Sequence, residues 1–169
     1  PYALNTYLPN DIVCFEAEDT DENFHSNSSA VKKRYVYKIL NREFPDAVMN
    51  RYSWHYKYPL DIEKMRIAAK AFIGEHDFKS FCDNKRMKKS TIRTISDISI
   101  NNSDGIITID FYGNGFLYHM VRILTGTLLM VGTHELSCDD IPDIIETKSR
   151  DAAGFTAPPQ GLCLVEVDY

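Results

Sequence analysis

An arginine, Arg122, stands inside the run FLYHMVRIL, Phe116 to Leu124, which stays apolar as far as Gly132. A lone charge in a low-dielectric core is costly, so it must be paired or solvated. A guanidinium suits a bidentate carboxylate or phosphate. Either an in-chain acid such as Asp77 or Asp110 bridges it, or it serves a functional anion. KRYVYK sets Tyr35 and Tyr37 on one strand face, as core rings or as rings that stack on and hydrogen-bond a planar ligand. In GEHDFKSF, His76 and Asp77 have the types for acid–base chemistry, and equally for locking a helix-end loop. CDNKRMKKSTIR carries Lys85, Arg86, Lys88, Lys89 and Arg93, either as a solvated loop or as a clamp on a phosphate backbone. TAPPQGLCL places two prolines and a glycine before a final strand, where they fix a turn or hold Leu162 at a pocket wall.

The elements that must position these residues follow from periodicity. KRYVYKIL alternates, with Tyr35, Tyr37 and Ile39 on one face and Arg34, Val36 and Lys38 on the other. DIVCFEAE reads as a strand after a helix end stopped by Pro9, and SWHYKY reads as a short strand. Asp61 caps a helix predicted over 62–73, with Gly74 as its stop. TIRTISDISI and GIITIDFY form a hairpin around NNSDG. In it Ile95 is out of phase with Ile98 and Ile100, which predicts a bulge near Asp97. A long apolar helix is expected over about 116–131, a shorter one over 139–147, and GLCLVEVDY closes as a strand. The order predicts an α+β fold, an antiparallel sheet with helices packed mainly on one face.

Length and composition fit one soluble globular domain of 169 residues, 44% hydrophobic and 25% charged. No stretch of about 18 uncharged apolar residues is present, so no membrane span is expected. Cys14, Cys82, Cys138 and Cys163 stand far apart without a CxxC pair. They read as free thiols of a reducing compartment, not as zinc ligands. The net charge of −5 is unevenly spread. Residues 1–31 hold six acids and no Lys or Arg; residues 32–93 hold sixteen Lys/Arg against seven acids; residues 94–169 hold three against eleven. A middle stretch of that kind gives an acidic protein a positive face, suited to RNA or DNA.

The blocks ALNTYLP, KRYVYKI, MRIAAKAFIGEHDFKSF, TIRTI, GNGFLYHMVRILTGTLLMVG and AAGFTAPPQGLCLVEVDY span nearly the whole chain. In that order they resemble the C-terminal part of the bacterial tRNA pseudouridine synthase A family. The resemblance implies isomerisation of uridine to pseudouridine in the tRNA anticodon stem-loop, by a cytoplasmic homodimer that uses no cofactor and no metal. It implies a catalytic aspartate acting on a base flipped out of the stack. By the same resemblance Tyr35 is the active-site tyrosine, Leu162 the apolar substrate contact, and Arg122 the partner of the catalytic aspartate. The family carries that aspartate in a GRTD-type motif, which does not occur here. Residues 1–26 are therefore expected to be the tail of an N-terminal domain and 27–169 the C-terminal synthase domain, in a fragment inactive alone. Asn27 stands where many members carry the arginine of FHAR. Two rival readings are a non-catalytic RNA-binding or dimerisation module and an enzyme using Arg122 on a small carboxylate. The basic middle stretch speaks against the latter.

Overall fold

A computed structural model describes residues 1–84 and 88–169. The architecture is a six-stranded sheet with helices on one face. In chain order come α1 (Tyr2–Asn5), β1 (Lys32–Leu40), β2 (Trp54–His55), α2 (Ile62–Lys70), β3 (Gly74–Asp77), β4 (Ile92–Ser103), β5 (Ile106–Gly113), α3 (Met120–Gly132), α4 (Asp140–Thr147) and β6 (Leu162–Asp168). The strands lie in the order β2-β1-β5-β4-β3, and β6 pairs with β1. All pairings are antiparallel except β1 with β2, where Ile39 and Leu40 match Trp54 and His55 in parallel. The helix-covered α+β sheet thus holds, with one short parallel exception.

The alternation of β1 fixes which face is buried. Tyr37 and Ile39 are fully buried, as are Ile107, Ile109 and Phe111 on β5. Met65, Ala68 and Ala69 of α2, and most of α3, close over them in one apolar cluster. On the other face Arg34 donates to Asp110 from Nε (3.0 Å) and Nη2 (2.6 Å) and lies over the Tyr112 ring at 5.3 Å. The β4–β5 hairpin shifts register between Ile95 and Asp97. That bulge lets Ile95, Ile98 and Ile100 all reach the core.

Several local expectations are corrected. DIVCFEAE forms no strand: Ile12, Val13 and Phe15 are exposed, and no ladder partner is present among the described residues to take its backbone groups. α2 has the expected Asp61 cap, accepting from the Lys64 N–H at 3.0 Å, but ends at Lys70. Ala71, Phe72 and Ile73 continue it only as tightened turns, donating to carbonyls three residues back. Gly74, with φ +115°, then opens β3 instead of merely ending a helix. GEHD is thus a strand paired with β4, followed by a 3-10 turn over Phe78–Phe81. α3 begins at Met120, four residues later than the apolar pattern suggests, because His119 takes a left-handed conformation with φ 61°.

Candidate active site

The turn that delays α3 builds a pocket. Residues 116–119 leave the helical path and line a cavity of about 240 Å³ with Tyr35, Arg122 and Leu162. Tyr35 comes from β1, Arg122 from the first turn of α3, and Leu162 from the start of β6. Tyr35 is half-buried and packs edge-to-face on Phe116, with centroids 5.2 Å apart and planes at 82°. Burial pushes its hydroxyl pKa up, so the phenol stays protonated and available as a donor.

Arg122 is half-buried. Its Nε donates to the Ala157 carbonyl at 2.6 Å, which orients the guanidinium. Among the described residues no carboxylate comes within 4.0 Å of it. Both acids considered from the sequence are engaged elsewhere. Asp110 pairs with Arg34 on the opposite sheet face, and Asp77 takes Lys148 at 3.3 Å. Asp77 also caps the 3-10 turn through the Lys79 N–H and accepts from Thr91, while His76 meets the Ile73 carbonyl. The two residues read as a possible dyad therefore hold local structure. Burial raises the Asp77 carboxyl pKa, and the bonds from Thr91, Lys148 and Lys79 more than offset this and lower it.

The segment 154–161 is held against α3 by small residues. A Cβ on Gly126 would overlap the Phe155 carbonyl, and one on Gly154 would sit 2.6 Å from the Thr127 nitrogen. The Gly154 N–H donates to the Thr127 hydroxyl at 2.9 Å, and the Ala157 N–H to the Arg122 carbonyl at 3.1 Å. Tyr37 donates its hydroxyl to the Pro158 carbonyl at 2.6 Å. Burial pushes the Tyr37 pKa up, partly opposed by the nearby Arg122 charge. The stiff TAPPQG segment thereby orients Arg122 on one side and delivers Leu162 on the other.

One polar network escaped sequence reasoning. The Asp83 carboxylate joins His119 Nδ1 (2.7 Å), Arg150 Nε (2.7 Å) and the Thr156 hydroxyl (3.0 Å). Arg150 also donates to the Gly154 carbonyl at 2.8 Å. Burial alone would raise the Asp83 carboxyl pKa; the bonds from Arg150, His119 and Thr156 together outweigh it and hold it low. His119, a pocket residue stacked on Tyr118 at 3.8 Å, is thus tied to the root of the basic loop. Asp83 is a lone acid in a basic stretch and its partners are 36 and 67 residues away, so no local pattern marks it.

Of the basic residues singled out, Lys88 and Lys89 are exposed, and Lys85 and Arg86 lie outside the described residues. Arg93 lines a second cavity, together with Asn27 and Lys33, that shares Phe116 with the first. No helix among the described residues is long and apolar enough to cross a membrane.

Comparison with known proteins bears on what this pocket does. The family described as tRNA pseudouridine synthase matches residues 68–169, from α2 to β6. The chain is 49% identical over 169 residues to a tRNA pseudouridine synthase A of Thermoanaerobacter sp. (strain X514), covering 100% of this chain and 69% of that protein. It is 46% identical over 168 residues to the protein of that name from Acetivibrio thermocellus, covering 99% of this chain and 69% of the relative. With the Bacillus subtilis (strain 168) protein the identity is 44% over 169 residues, covering 100% of this chain and 68% of the relative.

Proposed function

The chain belongs to the tRNA pseudouridine synthase A family, and from that premise we propose that it supplies the uracil pocket of an isomerase acting on the tRNA anticodon stem-loop. The observation that carries the reading is the convergence of Tyr35, Arg122 and Leu162 on one small pocket, with the Arg122 charge unmatched by any described carboxylate. The base leaves the stack, as chemistry at its glycosidic bond requires. Leu162 and Phe116 wall the ring, and Tyr35 stacks on it. An aspartate from outside these 169 residues acts as nucleophile, held ionised by Arg122. The N1–C1′ bond breaks, the uracil rotates, and a C5–C1′ bond forms. The C5 proton leaves and N1 gains one, so no net atom or electron is exchanged and no cofactor or metal is required. The protonated Tyr35 hydroxyl is placed to assist the proton transfer.

Lys88, Lys89 and Arg93, with Lys85 and Arg86, contact the tRNA backbone in this reading. In this reading the enzyme works in the cytoplasm as a homodimer, with residues 1–26 belonging to a preceding domain and 27–169 forming the synthase domain. The exposed Tyr2, Tyr7, Ile12 and Phe15 support such a domain as apolar surface awaiting cover. The same unmatched Arg122 also fits a non-catalytic RNA-binding module. One assay separates the two: pseudouridine formed on unmodified tRNA by the full-length enzyme and by the 169-residue chain. We expect product from the first and none from the second. Product from the isolated chain would refute an external nucleophile; none from the full-length enzyme would refute catalysis.

A further inference from the structure

The second cavity, of about 330 Å³, is lined by Asn27, Ser28, Lys33, Arg93, Asn114 and Gly115, with Phe116 as the wall it shares with the uracil pocket. Among the described residues none that lines it is acidic. Among the described residues neither Lys33 nor Arg93 has a carboxylate within 4.0 Å. A different basic cavity, beside Lys79, Lys148 and Arg150, lacks this property. There Lys148 is matched by Asp77 at 3.3 Å and Arg150 by Asp83 at 2.7 Å. Two uncompensated cations in one concave site call for an anion from outside.

The backbone explains how the site stays open. Lys33 pairs with Gly113 of β5, and Gly113 with Ile95 of β4, so Lys33 and Arg93 stand on either side of the Gly113-Asn114-Gly115 turn. A Cβ at Gly113 would sit 2.7 Å from the Thr94 carbonyl and 3.3 Å from the Phe116 ring. A Cβ at Gly115 would lie 3.6 Å from the Arg93 Nε. Arg93 is itself steadied by its Nη1, which donates to the Ser90 (2.9 Å) and Ile92 (2.6 Å) carbonyls. Lys33 and Tyr35 share one face of β1, two residues and roughly 6.6 Å apart along the strand. That step matches the reach from a nucleobase to a phosphate beside it.

We propose that this cavity is a phosphodiester subsite for the backbone phosphate flanking the target uridine, with Lys33 and Arg93 as its cations and Asn27 and Ser28 at its rim. The proposal rests on the reading that the neighbouring pocket takes the uracil. The subsite fixes the register of the strand, so that only the nucleotide next to the bound phosphate reaches Tyr35.

The test is a cycle between protein and RNA charge, using the full-length enzyme and an anticodon stem-loop RNA by fluorescence anisotropy. A single uncharged methylphosphonate replaces each phosphate around the converted uridine in turn. At one linkage the parent enzyme should lose about tenfold in affinity. The double variant Lys33→Ala with Arg93→Ala should lose less than about twofold there, having already lost both cations, and each single variant less than the parent, while Lys33→Arg keeps the parent's sensitivity. With unmodified RNA, Lys33→Ala should flatten the slope of log affinity against log salt by about 0.7. Variants that retain the full loss at every linkage overturn the subsite, as does a parent indifferent to all of them. A parent enzyme that does not bind the stem-loop overturns the tRNA reading itself.

Discussion

Asp83→Asn should weaken the fold and loosen the pocket wall together. The carboxylate accepts from His119 and Arg150 at 2.7 Å and from Thr156 at 3.0 Å. An asparagine keeps the shape but loses the charge, and it turns an amide N–H₂ toward at least one of those donors. A hydrogen bond to a charged group contributes about 1.5–3 kcal/mol where buried. The Asp83 side chain is 27% exposed, which screens part of that. Arg150 also keeps its bond to the Gly154 carbonyl. The net loss should therefore be about 2 kcal/mol, or roughly 4–8 °C in melting temperature for a domain of this size. Urea unfolding should show a lower midpoint with an unchanged m value. The pH dependence has a definite sign. The carboxyl pKa is lowered in the folded state, so its stabilisation is complete above the unfolded value of about 4 and is lost as pH falls through the depressed folded value. The gap between parent and variant should persist down to about pH 4 and close below it. Equal midpoints, or a gap that vanishes between pH 7 and 5, would show that the carboxylate is not the hub of this network.

Two further outcomes follow from the pocket and its surroundings. In the full-length enzyme Tyr35→Phe should retain tRNA binding and lose turnover, while Tyr35→Leu should lose both; a single-turnover assay that finds both equal to the parent would leave Tyr35 as packing alone. Lys88→Glu with Lys89→Glu should weaken tRNA binding and flatten its salt dependence by about 1.4 units, about 0.7 per lost single-strand contact, and an unchanged slope would remove that loop from the interface.

The parts of the fold governed by local pattern were legible in the chain. The phase of Ile95, Ile98 and Ile100 located a bulge that the β4–β5 register shows. Asp61 marked the start of α2. What long-range pairing decides was hidden. GEHD carries no strand pattern, and only β4 makes it one. DIVCFEAE has the pattern but lacks a partner among the described residues. The left-handed turn at His119 is masked because the apolar run passes through it, and without that turn there is no pocket. Spacing alone left Arg122 between an in-chain bridge and a functional anion. The family resemblance, not periodicity, joined it to Tyr35 and Leu162. Asp83 and Lys33 matter through neighbours that no linear pattern reveals.

The pairing of β1 has a consequence for how the protein is made. Apart from the two-residue pairing with β2, this early strand finds its partners in β5, from Ile106 on, and in β6, which ends at Asp168. Loop closure over such separations is slow, and each ribosome adds only about 5–20 residues per second. For several seconds of synthesis β1 has only the two residues of β2 to pair with, and its Tyr37 and Ile39 have no cover from α3. Nascent chains stalled before β6 should therefore be open to protease and to holding chaperones. The pocket is completed last, because Leu162 is the first residue of the strand that closes it.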